Sequence, residues 1–150
     1  MSLQTDIIFV KALRSNADLI AELPAGDVYN NAIALPDEQA DNAPTPYIIV
    51  SYDGMNNQET TKDNAFGGFS DMVTVGITVA AKTRPQLARL AIAARQTVES
   101  YFRAHVMDDS DDDFRLIPNQ FIMQAQRVNY DSLKPCFWQD LQFLCDTDPD

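Results

Sequence analysis

The chain is poor in the residue types that bind metals or staple small folds. Its 150 residues include one histidine, His105, and two cysteines, Cys136 and Cys145. No CxxC or HxxxH spacing occurs, which argues against a zinc site. The two cysteines fall in one expected strand, about 30 Å apart if it is extended. They cannot bridge each other, and the expectation is reduced thiols in a reducing compartment. A chain of this length buries most of its surface on folding and requires neither staple. Long apolar runs are also missing. No window approaches the roughly 18 apolar residues of a membrane span. The opening Met-Ser-Leu-Gln-Thr-Asp has neither the basic start nor the apolar core of a signal peptide. Basic residues are scarce, 11 Lys and Arg against 22 Asp and Glu, for a net charge of −11. Such a chain repels nucleic acid and anionic membranes, so neither sequence-specific nucleic-acid binding nor membrane binding is expected. The excess of acid reads equally as a device for solubility or as part of a specific role.

The chemistry-bearing motifs are missing too. There is no P-loop, no GxGxxG and no GxSxG. Catalysis needs a nucleophile with its base, a paired acid and base, a metal, or a phosphate cradle. His105 has no identifiable nucleophile and reads as a favourable cation near a helix C-terminus. Cys136 and Cys145 read as buried structural thiols. The expectation is a protein that is not an enzyme and carries no cofactor or metal.

What is present is organised around residues 69–105. Val73, Val75, Ile77 and Val79 alternate with Met72, Thr74, Gly76 and Thr78, the period-two pattern of a half-buried strand. A helix starts at Thr83-Arg84-Pro85-Gln86. Thr83 and Gln86 form a capping box, and Pro85 sits in the first turn, where its missing N–H is harmless. Leu87, Leu90, Ala91, Ala94, Val98, Tyr101 and Phe102 then share one apolar stripe.

Before this unit, residues 5–23 read as one helix with an apolar stripe of Ile7, Val10, Leu13, Ala17 and Ile20 and a solvated face of Lys11, Arg14, Asp18 and Glu22. Pro24 and Gly26 end it. Residues 28–35 read as a strand, 37–46 as a solvated loop, and 47–52 as an interior strand, with Asp53-Gly54 turning the chain. Residues 55–68 form a long polar connection rich in asparagine. A connection of that length is often functional. It reads either as a hairpin end or as a loop that orders against a partner through Phe66 and Phe69. After the helix, residues 107–113 carry five aspartates. They lack the glycine and the terminal glutamate of an EF-hand, so they read as a solvated acidic turn rather than a calcium site. Strands follow at 114–117, 120–129 and 136–145, the last rich in aromatics. Residues 130–135 form a turn, and an acidic tail frays from about residue 146.

This order gives one domain over residues 1–150, of α+β class: one mainly antiparallel sheet of four to five strands with two helices on one face. The other sheet face, with Thr74, Thr78, Gln124 and Gln126, is polar enough to meet water or a neighbouring subunit.

One charge pattern stands out. The second helix carries Arg84, Arg89, Arg95 and Arg103 against a single acid, Glu99. Arg89, Gln96 and Arg103 repeat every seven residues and form one stripe. The stripe either balances nearby carboxylates or meets an acidic patch on an identical neighbour. Contacts between two different patches of like chains close into rings, and like-charged copies join only where such patches match.

The segment order, with Val28-Tyr29-Asn30, Pro46-Tyr47-Ile48-Ile49-Val50, the polar connection, the valine-rich strand 73–80 and the helix with Leu87, Leu90, Ala91 and Val98, resembles the tail-completion, or tail-terminator, family of long-tailed bacteriophages and prophages. The likeness spans about residues 7–144. It implies a helix-decorated antiparallel sheet whose copies form a hexameric ring that caps the tail tube, ends its polymerisation and presents a surface to the head–tail connector. It implies localisation in the host cytoplasm during assembly and then in the virion tail. Arg89, Arg95 and Arg103 on the helix, and Asn56, Asn57, Lys62 and Phe66 in the connection, are then expected at the contact with another subunit or with the tube. A head–tail joining or neck protein is the alternative within the same virion. A small host α+β enzyme or ligand-binding domain is the alternative outside it, and it would need a pocket with convergent polar groups.

Overall fold

The structure is a computed structural model that describes residues 2–31, 44–59, 69–105 and 120–147. A 3₁₀ turn (Ser2–Gln4) leads into α1 (Thr5–Arg14) and α2 (Ala17–Ala21). Then come β1 (Tyr29–Asn30), β2 (Tyr47–Glu59), β3 (Phe69–Ala81), α3 (Arg84–His105), β4 (Gln120–Ala125), β5 (Asn129–Asp131) and β6 (Cys136–Thr147).

Strand β3 is central, as its alternation predicts. Val73, Val75, Ile77 and Val79 are fully buried, facing α1 and α3. The spatial order is β1-β2-β3-β6-β4, and β5 also pairs with β6. All pairings are antiparallel except β1 with β2. The class is α+β with the long helices on one face, as expected. Among the described residues the sheet has six strands rather than four to five, because two short strands, β1 and β5, join its edges.

Helix α3 begins as its sequence dictates. The Thr83 hydroxyl accepts from the Gln86 N–H at 3.3 Å, and Leu87, Leu90, Ala94 and Val98 are fully buried. The first helix differs from its expected form. It breaks after Arg14, where the Ser15 hydroxyl donates to the Ala12 carbonyl at 2.6 Å. Asn16 is extended, and its side chain accepts from the Leu19 N–H to cap α2. Local capping by serine and asparagine outcompetes a continuous helix here. Val10 and Leu13 of the expected stripe are buried, but the phase differs at its start. Ile8, Phe9, Ala12 and Leu13 are fully buried, whereas Ile7 is 37% exposed. The Phe9 ring lies 5.1 Å from that of Phe102 on α3 and 5.1 Å from that of Phe143 on β6, so one side chain joins both helices to the sheet.

Asp53-Gly54 does not turn the chain. β2 continues to Glu59, and the pair forms a bulge where the register with β3 shifts. Gly54 has φ +132°, a conformation open to glycine and strained for other residues. Five residues of the expected connection, Met55 to Glu59, are therefore strand. Its remainder, with Lys62 and Phe66, lies outside the described residues, as do the acidic run, the strand expected at 114–117 and the second half of that expected at 28–35. The expected strand 120–129 is interrupted. Between Ala125 and Asn129 the edge advances four residues while β6 moves three, Leu141 to Trp138, which is a second bulge. Pairing of Asp146 with Met72 and Thr147 with Asp71 carries β6 into the stretch expected to fray.

Candidate functional site

The buried polar groups gather at one end of the helix layer. Asp6 and Asp71 are 7% and 4% exposed. Asn31, with φ +64°, donates from its amide to the Asp6 carboxylate at 3.0 Å and accepts from the Tyr52 N–H at 2.8 Å. This ties α1 to the edge of β2. Burial, then the nearby Asp71 and Asp6 charges, push the Tyr52 phenol up from its ordinary range. Among the described residues no three His, Cys, Asp or Glu side chains are arranged to hold a metal ion.

The thiols are equally inert. Burial pushes Cys145 up to about 12. Cys136 is raised as well, mainly by burial. A nucleophilic cysteine needs a depressed value, so both are neutral packing groups at neutral pH. His105 closes α3, and the expectation for its side chain lies outside the described residues.

What the surface offers is contact. The arginines of α3 lie on two sides of the helix. On the α2 side, Arg89 pairs with the Glu22 carboxylate, while Gln96 lines an open groove with Asn16, Asp18, Thr97 and Ser100. Part of the expected stripe is thus neutralised within the chain, as the balancing reading requires. Arg103 is exposed and forms no ion pair among the described residues. On the opposite side, Arg84, Ala88, Ile92 and Arg95 follow one another at helical spacing beside β4. They line a groove of about 240 Å³ completed by Met123 and Leu141. Ile92 is 56% exposed. Arg95 also pairs with Glu99 one turn on, at 2.8 Å.

The sheet face away from the helices is the second surface. The register places Ile122, Leu144 and Thr74 in one row across it, Gln124, Gln142, Gly76 and Ser51 in the next, and Asp140, Thr78 and Ile49 beyond. The Thr78 hydroxyl donates to Asp140, and the Ser51 hydroxyl donates to Asp53 at 2.8 Å. Asp53 lies over Gly76, where an added Cβ would collide with its carboxylate. Ile122 is 66% exposed. The polar character expected from Thr74, Thr78 and Gln124 is present, with a set of carboxylates and apolar side chains that the strand pattern had not singled out. Asn56 is exposed on the outer part of β2; of Asn57 the backbone alone is described, paired with Asp71.

Sequence reasoning passed over Arg84 and Ile92 as a unit. The available signal was an isoleucine on the polar side of an amphipathic helix, flanked by arginines. The Arg89–Glu22 pair was not readable, because its partners are 67 residues apart.

No protein-family profile and no curated protein matches the sequence. Solved structures do. One is a chain of the virion of a native gene transfer agent particle, similar at a TM-score of 0.54 with 12% identical residues, over 96% of this chain and 94% of that one. At that identity the likeness shows a common fold.

Proposed function

We propose that this chain is a structural component of a phage-like virion, and specifically a tail terminator: a ring-forming protein that caps the tail tube, stops its growth and offers the head connector a surface. The observation that carries the proposal is the end-to-end correspondence with a virion chain, 96% of one and 94% of the other, so the whole domain and not a fragment is in common. The segment order that resembles tail-completion proteins supports the finer reading. So does a surface built for contact: a helix side with guanidinium groups around an exposed isoleucine, and a sheet face left bare by the helices. In this reading the protein works by binding, without turnover. Its partners are further copies of itself, the tube protein and the head–tail connector protein. A ring of acidic chains also gives DNA a passage to which it does not adhere.

The test is reconstitution. Purified chain is mixed with growing tubes of a phage tail-tube protein, and with a head–tail connector protein, then followed by sedimentation and electron microscopy. Capped tubes of arrested length support the terminator. Binding to the connector without any effect on tubes moves the protein to head–tail joining. A monomer that ignores both refutes the virion role.

A further inference from the structure

The two faces of the molecule differ in their charged groups. The helix layer is mixed: Arg14, Arg89 and Arg95 are paired with Asp27, Glu22 and Glu99, while Arg84 and Arg103 are exposed and form no ion pair among the described residues. On the bare sheet face, the positions facing away from the helices in β2, β3, β4 and β6 include no lysine or arginine and hold Asp53, Asp140 and Asp146. Asp53 and Asp140 are held in place by the Ser51 and Thr78 hydroxyls. Each face also carries a largely exposed apolar side chain: Ile92 at 56% exposure on the helix and Ile122 at 66% on the sheet. A patch of exposed apolar surface rimmed by charge is the form of a protein contact. With a net charge of −11, two copies repel unless a cationic patch of one meets an anionic patch of the other.

We infer that copies of this chain join head to tail, with the Arg84, Ala88, Ile92 and Arg95 side of α3 in one copy seated on the bare sheet face of the next, its guanidinium groups against Asp53 and Asp140 and Ile92 against Leu144 and Ile122. The occupant of each face is thus a second copy. The inference rests on the ring reading above and names its contact. Both faces belong to every copy and differ from each other, so the contact is heterologous, the kind that forms a ring where its rotation closes. Arg84 is available for it, being exposed and without an ion pair among the described residues. Arg95 meets Glu99 through its Nε, and the inferred contact uses its terminal nitrogens; Arg89 lies on the other side of α3, against Glu22, and takes no part.

Charge reversal tests this directly. One variant carries R84E with R95E, the other D53K with D140K, and melting curves of each confirm folding. Sedimentation is measured for wild type, for each variant alone and for their equimolar mixture, with and without tubes. Wild type is expected to associate, each variant alone to lose association by tenfold or more in concentration, and the mixture to recover it, because each variant presents the face the other needs. As a second readout, an I92C copy mixed with a T74C copy is expected to form a disulfide across copies on oxidation, while I92C alone forms none. The native thiols are both buried and do not interfere. Rings that survive both reversals, or a mixture that fails to recover, overturn the contact and leave the virion role standing. Wild type that never associates, with tubes or without, overturns both.

Discussion

Replacing Phe9 by alanine probes the single side chain that binds three elements of the core. Phe9 is fully buried, edge-on to Phe102 at 86° and tilted against Phe143 at 60°. Truncation of a buried phenylalanine costs about 3–5 kcal/mol, the spread reflecting how far neighbours collapse into the space. Here the neighbours are two other rings, held by α3 and by a strand paired on both sides, and neither follows readily. The upper part of the range is therefore expected, about 4–5 kcal/mol. For a chain of this size that lowers Tm by roughly 10–15 °C. The control is Ile7→Ala, two residues earlier and 37% exposed, expected to cost about 1 kcal/mol or less. Urea denaturation followed by fluorescence of Trp138, the only tryptophan, measures both. A loss below about 2 kcal/mol for Phe9→Ala, or an equal loss for Ile7→Ala, refutes the placement of α1 on the sheet.

Three further outcomes test the fold. Asn31→Ala removes the side-chain hydrogen bonds to Asp6, to Asn30 and from the Tyr52 N–H and strains a positive φ, for an expected loss of about 2 kcal/mol, whereas Asn31→Gly relieves the backbone and loses about half as much; equal losses in chemical denaturation would show that the backbone angle is immaterial. Neither Cys136 nor Cys145 is expected to react with a thiol reagent at pH 8 until the chain unfolds. The Cys145 thiol, raised from 9.0 to about 12, stays protonated in the folded state while the unfolded chain ionises above pH 9. Stability is thus complete below pH 9 and falls as pH rises toward 12, by up to about 1.4 kcal/mol per unit. The raised Tyr47 and Tyr52 phenols act in the same direction above pH 10. A Cys145→Ala variant is expected to flatten the alkaline limb of a pH-dependent denaturation series, and an unchanged slope counts against the assignment.

The elements legible in the sequence were those whose pattern had one interpretation. Val73 to Val79 alternate without a break, and Thr83 caps a helix with a single apolar stripe. The first helix contains Ile7, Ile8, Phe9 and Val10 in succession, which fits two helical phases equally, and only the packing against Phe102 and Phe143 chooses between them. Asp53-Gly54 misled because a tight turn and a bulge make the same demand on glycine. The strand beyond it shows no apolar alternation, since Met55 and Asn56 at the edge are exposed and have no core to face. The arginines of α3 were visible as a cluster. Their division between an internal partner, Glu22, and an outward groove depends on how α2 crosses α3, which no local pattern encodes.

Along β6, Leu141, Phe143 and Cys145 answer to the interior while Gln142 and Leu144 answer to whatever lies outside. Neighbouring residues of one strand are thus under separate jurisdictions. Substitution at an even-numbered position can refit the molecule to a new companion without touching its own integrity, and divergence among relatives is expected to run in a two-residue rhythm, fast and slow. Insertion of a single residue is the exception, because it exchanges the two sets wholesale.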